Sequence, residues 1–252
     1  MALNPPYLTF KLKYLMDKTN IPKANTKDEL INILSQFDIS VPSLGDGRQT
    51  LHVERWSICK LLSTLAFHDS LFYPLELTHD DRPDFIVLMD NTKIGIELTE
   101  ARHESHAKYQ AILNREFPEK IYSPSIFQLD HVALTKNEIY ENLRQETIAG
   151  MPLMGDQPER DWAQYIKNSI QKKLEALAKP EFKKFNNNCL LIYVAIPFCQ
   201  VKIDIAMEYL NAYLPEIWAK ELTFDVIYIE HIHHIIQISP NKSLLMKINE
   251  IW

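Results

Sequence analysis

Glycine is scarce in this chain. Its 252 residues include five, Gly45, Gly47, Gly95, Gly150 and Gly155, and their spacings give neither GxGxxG nor GxxxxGK(S/T). Cradles of those kinds need glycine because the backbone must approach a phosphate closely or adopt positive φ. Dinucleotide binding of the doubly wound type and P-loop chemistry are therefore excluded. Cysteine is sparse as well. Cys59, Cys189 and Cys199 stand in apolar or aromatic surroundings without a CxxC pair, which excludes a zinc-ribbon or dithiol redox motif and fits buried thiols in a reducing compartment. No apolar run is long enough for a membrane span, since the longest, Cys189 to Cys199, is interrupted by Pro197. Met1 to Phe10 contain no basic stretch leading into an apolar one, so no signal peptide and a cytoplasmic location are expected. No serine lies in a GxSxG context, and no cysteine stands in a local motif for a catalytic thiol. Positive charge is also in deficit. With 27 Lys and Arg against 33 Asp and Glu, the net charge is −6, which excludes a generally basic surface but leaves room for a local basic groove.

What remains is a soluble globular composition, 46% apolar and 24% charged, with enough chain to bury a large core. Residues 1–38 read as a small helical hairpin and 39–252 as an α/β domain. In the first part, helical patterns at Leu12–Met16 and Asp28–Leu34 flank Ile21-Pro22-Lys23-Ala24-Asn25. Thr26 is an N-cap with Glu29 three residues on as its capping-box partner. This layout resembles the helix–extended loop–helix of SAP-type modules, many of which bind DNA. Five lysines against three acids in 8–37 give only a small excess of positive charge, and a hairpin packed on the main domain is the plainer reading. Residues 38–50 are a turn-rich connector, so the remainder is expected to fold without the hairpin.

In the second part a helix is expected at 51–68, followed by strands at 71–78, 85–90 and 93–99. Helical patterns at 103–115, 136–149 and 160–177 follow, then a buried strand at 189–196. A helix at 202–222 and strands at 224–230 and 234–238 complete the order. Asp84 opens the second strand, the turn Asp90-Asn91-Thr92 returns the chain, and Glu97 sits near the end of the third. Such a hairpin can bring Asp84 and Glu97 to the same end of the sheet. Two carboxylates held together repel unless a cation lies between them, and hard oxygen ligands suit Mg²⁺ or Mn²⁺.

Pro83-Asp84 followed by Glu97-Leu98-Thr99, in the order helix, three strands, helix, strand, resembles the PD-(D/E)xK nuclease superfamily over about residues 51–196. The resemblance implies a restriction-endonuclease-like mixed sheet flanked by helices, with Asp84 and Glu97 as metal ligands. The third motif position holds Thr99 instead of lysine, which removes the usual water-activating group. Helical geometry offers a replacement. Trp162, Ile166, Ile170, Leu174 and Leu177 form an apolar stripe, and at about 100° per residue Lys173 falls inside it, about 20° from Ile166. An ammonium there requires a carboxylate. Some members of the superfamily supply the lysine from a neighbouring helix; the plainer reading is a lysine whose stem packs while its head reaches water. Glu54 likewise shares an apolar face with Ile58, Leu61 and Leu65. The resemblance implies that this first-helix glutamate faces the metal site, whereas helix-dipole preference alone would also place an acid there.

Other features carry less. His231 and His233 would share a strand face, with His234 following, but no third and fourth zinc ligand stands at a recognisable spacing. Glu100, Arg102 and His103 follow the second acid and could contact phosphate or orient water. Residues 160–184 hold seven Lys and Arg against three acids, the best stretch for tracking phosphates. Together these expectations describe a Mg²⁺- or Mn²⁺-dependent phosphodiesterase, a DNA endonuclease. Its catalytic residues would be Glu54, Asp84, Glu97 and Lys173, with Asp84 and Glu97 holding the metal. Its partner would be nucleic acid, DNA above RNA, with no membrane, and a homo-oligomer or protein partner would be compatible. The competing reading keeps the fold without the chemistry, as a non-catalytic nuclease-like subunit binding protein or nucleic acid. A plain DNA-binding protein led by residues 8–37 is a third.

Overall fold

A computed structural model describes residues 19–44, 46–127, 129, 132–145, 154–196 and 201–252. They form an α/β fold around an open mixed sheet of eight strands: β1 (Ile21–Ala24), β2 (Leu75–His79), β3 (Phe85–Met89), β4 (Thr92–Ala101), β5 (Asn187–Val194), β6 (Val226–His231), β7 (His234–Ser239) and β8 (Lys242–Lys247). Spatial order follows chain order. Strands β1 to β4 run antiparallel, β4, β5 and β6 are parallel, and β6 to β8 are antiparallel again. Seven α-helices are present among the described residues: α1 (Lys27–Leu34), α2 (Thr50–Phe67), α3 (His106–Glu116), α4 (Lys136–Arg144), α5 (Gln157–Leu177), α6 (Ile203–Asn211) and α7 (Leu214–Trp218).

Alternation along the strands divides the core into two layers. On one face Ile96, Leu98 and Leu191 pack with Leu30 and Leu34 of α1 and with Ile58, Leu61 and Leu65 of α2. On the other, Leu190, Ile192, Ile227 and Ile229 pack against the stripe Trp162, Ile166, Ile170, Leu174 and Leu177 of α5. The parallel crossovers β4–β5 and β5–β6 carry α3 to α7, as parallel pairing requires, whereas α1 and α2 lie between β1 and β2. The β3–β4 hairpin closes through Asp90 and Asn91, both at positive φ (43° and 65°), the geometry a tight two-residue turn demands and Asp and Asn tolerate.

Several boundaries differ from the sequence expectations. Ile21–Ala24, read as the loop of a helical hairpin, is an edge strand paired with β2. Thr26 caps α1 as expected, accepting from the Glu29 N–H, but Glu29 reaches back to the Asn25 N–H. The helix expected at Leu12–Met16 lies outside the described residues. The strand expected from Leu71 starts only at Leu75, after Pro74, which has no N–H for a ladder. The helix expected over 202–222 divides into α6 and α7 near Pro215. Strand β8, with only Met246 fully buried, has too weak an alternation to be read in advance. His231 and His233 do not share a face. His231 ends β6 and is buried, whereas Ile232 and His233 form the exposed turn into β7. Cys59 and Cys189 are buried free thiols, and burial pushes both up to about 12; Cys199 lies outside the described residues. No helix among the described residues is long and apolar enough to cross a membrane.

Because β1 extends the sheet and Ile21, Leu30 and Leu34 are fully enclosed in the core, deletion of residues 1–38 should be costly. At roughly 1.5–3 kcal/mol for each large side chain, the loss is a large fraction of a typical total of about 5–15 kcal/mol. Thermal unfolding of the truncated chain should show a midpoint lowered by about 10 °C or more, or no cooperative transition. An unchanged midpoint would show that the segment packs without supporting the core.

Candidate active site

The end of the β3–β4 hairpin is organised by a missing side chain. Gly95 faces α5 on the same side of β4 as Glu97, and a Cβ there would lie 2.8 Å from the Phe185 ring and 2.9 Å from the Pro83 ring. Without one, Pro83 settles against the strand and sets down Asp84 where β3 meets β4. Phe85 pairs with Ile96 in the ladder, so Asp84 falls beside Glu97 and Leu98. The Leu98 N–H donates to Asp84 Oδ2 at 2.6 Å, fixing the carboxylate to the strand that carries Glu97.

Glu97 is buried beneath α5, where Lys173 Nζ donates to its Oε1 at 2.5 Å. The lysine side chain is only 20% exposed. The apolar stripe predicted on α5 is present, and the cation lying within it meets an acid. The other oxygen, Glu97 Oε2, is buried without a hydrogen-bond partner among the described residues. Asp84 feels this environment strongly. Burial, and then the Glu97 charge, push its carboxyl up to about 7; the Leu98 N–H and Lys173 pull the other way, and Glu54 adds a small upward push.

Glu54 approaches from α2, on the opposite layer. Its Oε2 lies 3.1 Å from His79 Nε2, and His79 stacks on Phe85 with ring centroids 5.0 Å apart. The structure therefore unites Asp84, Glu97 and Lys173 in one cluster and holds Glu54 beside it through His79. His79 was not singled out in the sequence; it is one residue beyond the expected strand, and its alternation with Leu75 and Leu77 was the available signal. Gly95 inside a strand was another, since such a glycine marks close approach.

The remaining candidates are elsewhere. Glu100 pairs with Arg102 (3.2 Å) and Arg48 (3.6 Å). His103 is buried, its Nδ1 accepting from the Ser105 N–H. His231 Nδ1 accepts from Trp162 Nε1, and burial brings the imidazole down to about 4. The basic residues of 160–184 are dispersed. Arg160 pairs with Asp156, Lys167 covers the Tyr213 ring, Lys183 reaches Asp80 and Lys184 donates to the Lys179 carbonyl, while Lys172 faces a cleft of about 330 Å³ beside Thr99.

Among the described residues no group of three or more His, Cys, Asp and Glu is arranged to hold a metal ion. A pair of carboxylates is nevertheless the usual protein contribution to a Mg²⁺ site completed by waters and substrate phosphate. Glu97 Oε2, buried and unpartnered among the described residues, and Asp84, destabilised as an anion by burial and then by its neighbour, are donors that a hard cation would satisfy. The residues present fit the ion. No protein-family model, curated protein or solved structure matches this chain.

The raised Asp84 carboxyl gives a pH signature. Between about pH 4 and 7 the folded protein holds a proton that the unfolded chain has released, so this group's contribution to stability falls as pH rises through that window. Asp84→Asn retains the acceptor for the Leu98 N–H and abolishes the titration. In the presence of EDTA the variant should match the wild type near pH 4 and exceed it at pH 8 by on the order of 2–4 kcal/mol. Parallel stability–pH curves for the two proteins would contradict the assignment.

Proposed function

We propose that the protein is a metal-dependent phosphodiesterase acting on nucleic acid, a DNA endonuclease of the PD-(D/E)xK type with a restriction-endonuclease-like core. One observation carries the reading: a buried glutamate on β4 and a half-buried aspartate just before β3 share their site with a lysine delivered by a separate helix. The helix-strand-strand-strand order leading to that pair, and the parallel strand β5 beside it, agree with such a core. Thr99 stands where the motif lysine would be, and Lys173 supplies the charge from the facing helix.

In this reading Asp84 and Glu97 bind Mg²⁺ or Mn²⁺, which when bound polarises a phosphodiester and lowers the pKa of an attacking water. Lys173 has three N–H donors and gives one to Glu97, so two remain to orient a water or a phosphate oxygen. The Leu98 N–H keeps Asp84 turned toward the site, and its proton must leave before it can serve as a ligand. Glu54, restrained by His79, adds negative charge beside the pair and can accept a proton from the water shell. The competing reading, a nuclease-like subunit without chemistry, draws on the Lys173–Glu97 ion pair itself, because an ammonium already neutralises the acid that a metal would need.

Purified protein should cleave or nick DNA with Mg²⁺ or Mn²⁺ and not in excess EDTA, and Asp84→Ala or Glu97→Ala should abolish this without unfolding the chain. Lys173→Met retains the packing stem and removes the charge. It should lower the cleavage rate by about 10²–10⁴-fold while leaving metal binding intact or tighter. Lys172→Met should leave the rate within a few-fold, as roughly expected of a solvated lysine with no part in the acid pair. Equal, negligible effects at 172 and 173 would favour the subunit without chemistry, and cleavage in EDTA would remove the metal from the account.

A further inference from the structure

Arg48 is an underused cation. It follows Gly47, whose φ of +81° turns the connector into α2, and its side chain is only 18% exposed. A guanidinium has five N–H donors, yet Arg48 makes no hydrogen bond among the described residues. Its nearest acid oxygen is Glu100 Oε2 at 3.6 Å, and that same oxygen is also 3.2 Å from Arg102. Two guanidiniums thus share one carboxylate oxygen, leaving a net single positive charge. They border a cleft of about 320 Å³ at the C-terminal ends of β4 and β5, walled by Tyr122, Tyr193 and His106. Burial and the flanking Arg102 drive the His106 imidazole down to about 4, so near neutral pH it offers a ring nitrogen without adding charge.

Glu100 is three residues beyond Glu97 on β4, roughly 10 Å along the strand and on the opposite face, so the two sites meet only around the C-terminal end of β4. That spacing along the strand is about three rises of a B-form DNA strand at 3.4 Å each. A covered guanidinium lacking hydrogen bonds is costly unless a partner arrives, and paired arginine forks match the oxygens of a phosphate group.

We propose that Arg48 and Arg102, held together by Glu100, clamp a backbone phosphodiester of the nucleic-acid strand a few nucleotides from the scissile phosphate. The clamp rests on the nuclease reading for its substrate class, and it acts in binding, upstream of any chemistry. It positions the strand and takes no part in bond breaking.

The test is binding of a labelled DNA duplex to the full chain, followed by fluorescence anisotropy in EDTA across a range of salt concentrations. Arg48→Gln and Arg102→Gln should each weaken binding about tenfold or more and make the slope of log K against log salt shallower by about 0.9. Arg48→Lys should restore the slope, because the charge returns without the fork, and Lys220→Gln on a distant exposed site should leave it unchanged. Arg102 is exposed enough for its variant to fold; matching unfolding midpoints establish this for all four proteins. Tight wild-type binding with unaltered slopes in both glutamine variants would overturn the clamp alone. Shallower slopes in a protein that never cleaves would support the clamp and remove the nuclease reading. No wild-type binding to duplex or single strand would overturn both.

Discussion

The arrangement of the site depends on burying two carboxylates beside one another. Glu97 is buried and Asp84 half-buried at the end of a hairpin, and that is tolerable only because specific groups offset the charge. Lys173 reaches Glu97 from across the α5 layer, and a backbone N–H holds Asp84. These compensations are incomplete. One Glu97 oxygen has no partner among the described residues, and Asp84 is left with a carboxyl that resists ionisation. A structural ion pair would be better served by full satisfaction of both acids. Residual electrostatic tension of this kind is expected where an ion or substrate is to be bound.

The architecture delivers these groups from independent elements. Gly95 allows Pro83 to approach β4 and thereby sets the position of Asp84, the strand alternation turns Glu97 toward α5, and the apolar stripe of α5 fixes the rotation that points Lys173 inward. Glu54 is aimed from the opposite layer by a similar stripe on α2 and restrained by His79. Helices and a strand hold Glu54, Lys173 and Glu97, and Asp84, in the bend before β3, is tied to β4 by the Leu98 N–H.

Much of this was legible in the sequence because it rests on periodicity. The α5 stripe placed Lys173 on a buried face, the α2 stripe did the same for Glu54, and strand alternation separated Glu97 from Ile96 and Leu98. The edges of the sheet were not legible. Strand β1 has four residues and includes Pro22, and β8 buries little, so neither carries a strong period of two. Ile232 could not be recognised as a turn residue, since a β-branched side chain at positive φ contradicts local preference. Contacts between distant segments were hidden for a different reason. His79 with Glu54, and Arg48 with Glu100, join residues 25 and 52 positions apart in the chain, and no local pattern encodes such pairs.

The central claim is that the acid pair exists to hold a divalent cation, and calorimetric titration of the full chain with Mn²⁺ tests it most directly. The account predicts one saturable site per chain, lost in Glu97→Gln, with affinity increasing from pH 6 to pH 8 as Asp84 gives up its proton. Absence of saturable binding at millimolar Mn²⁺, or binding that survives in both Glu97→Gln and Asp84→Asn, would contradict it.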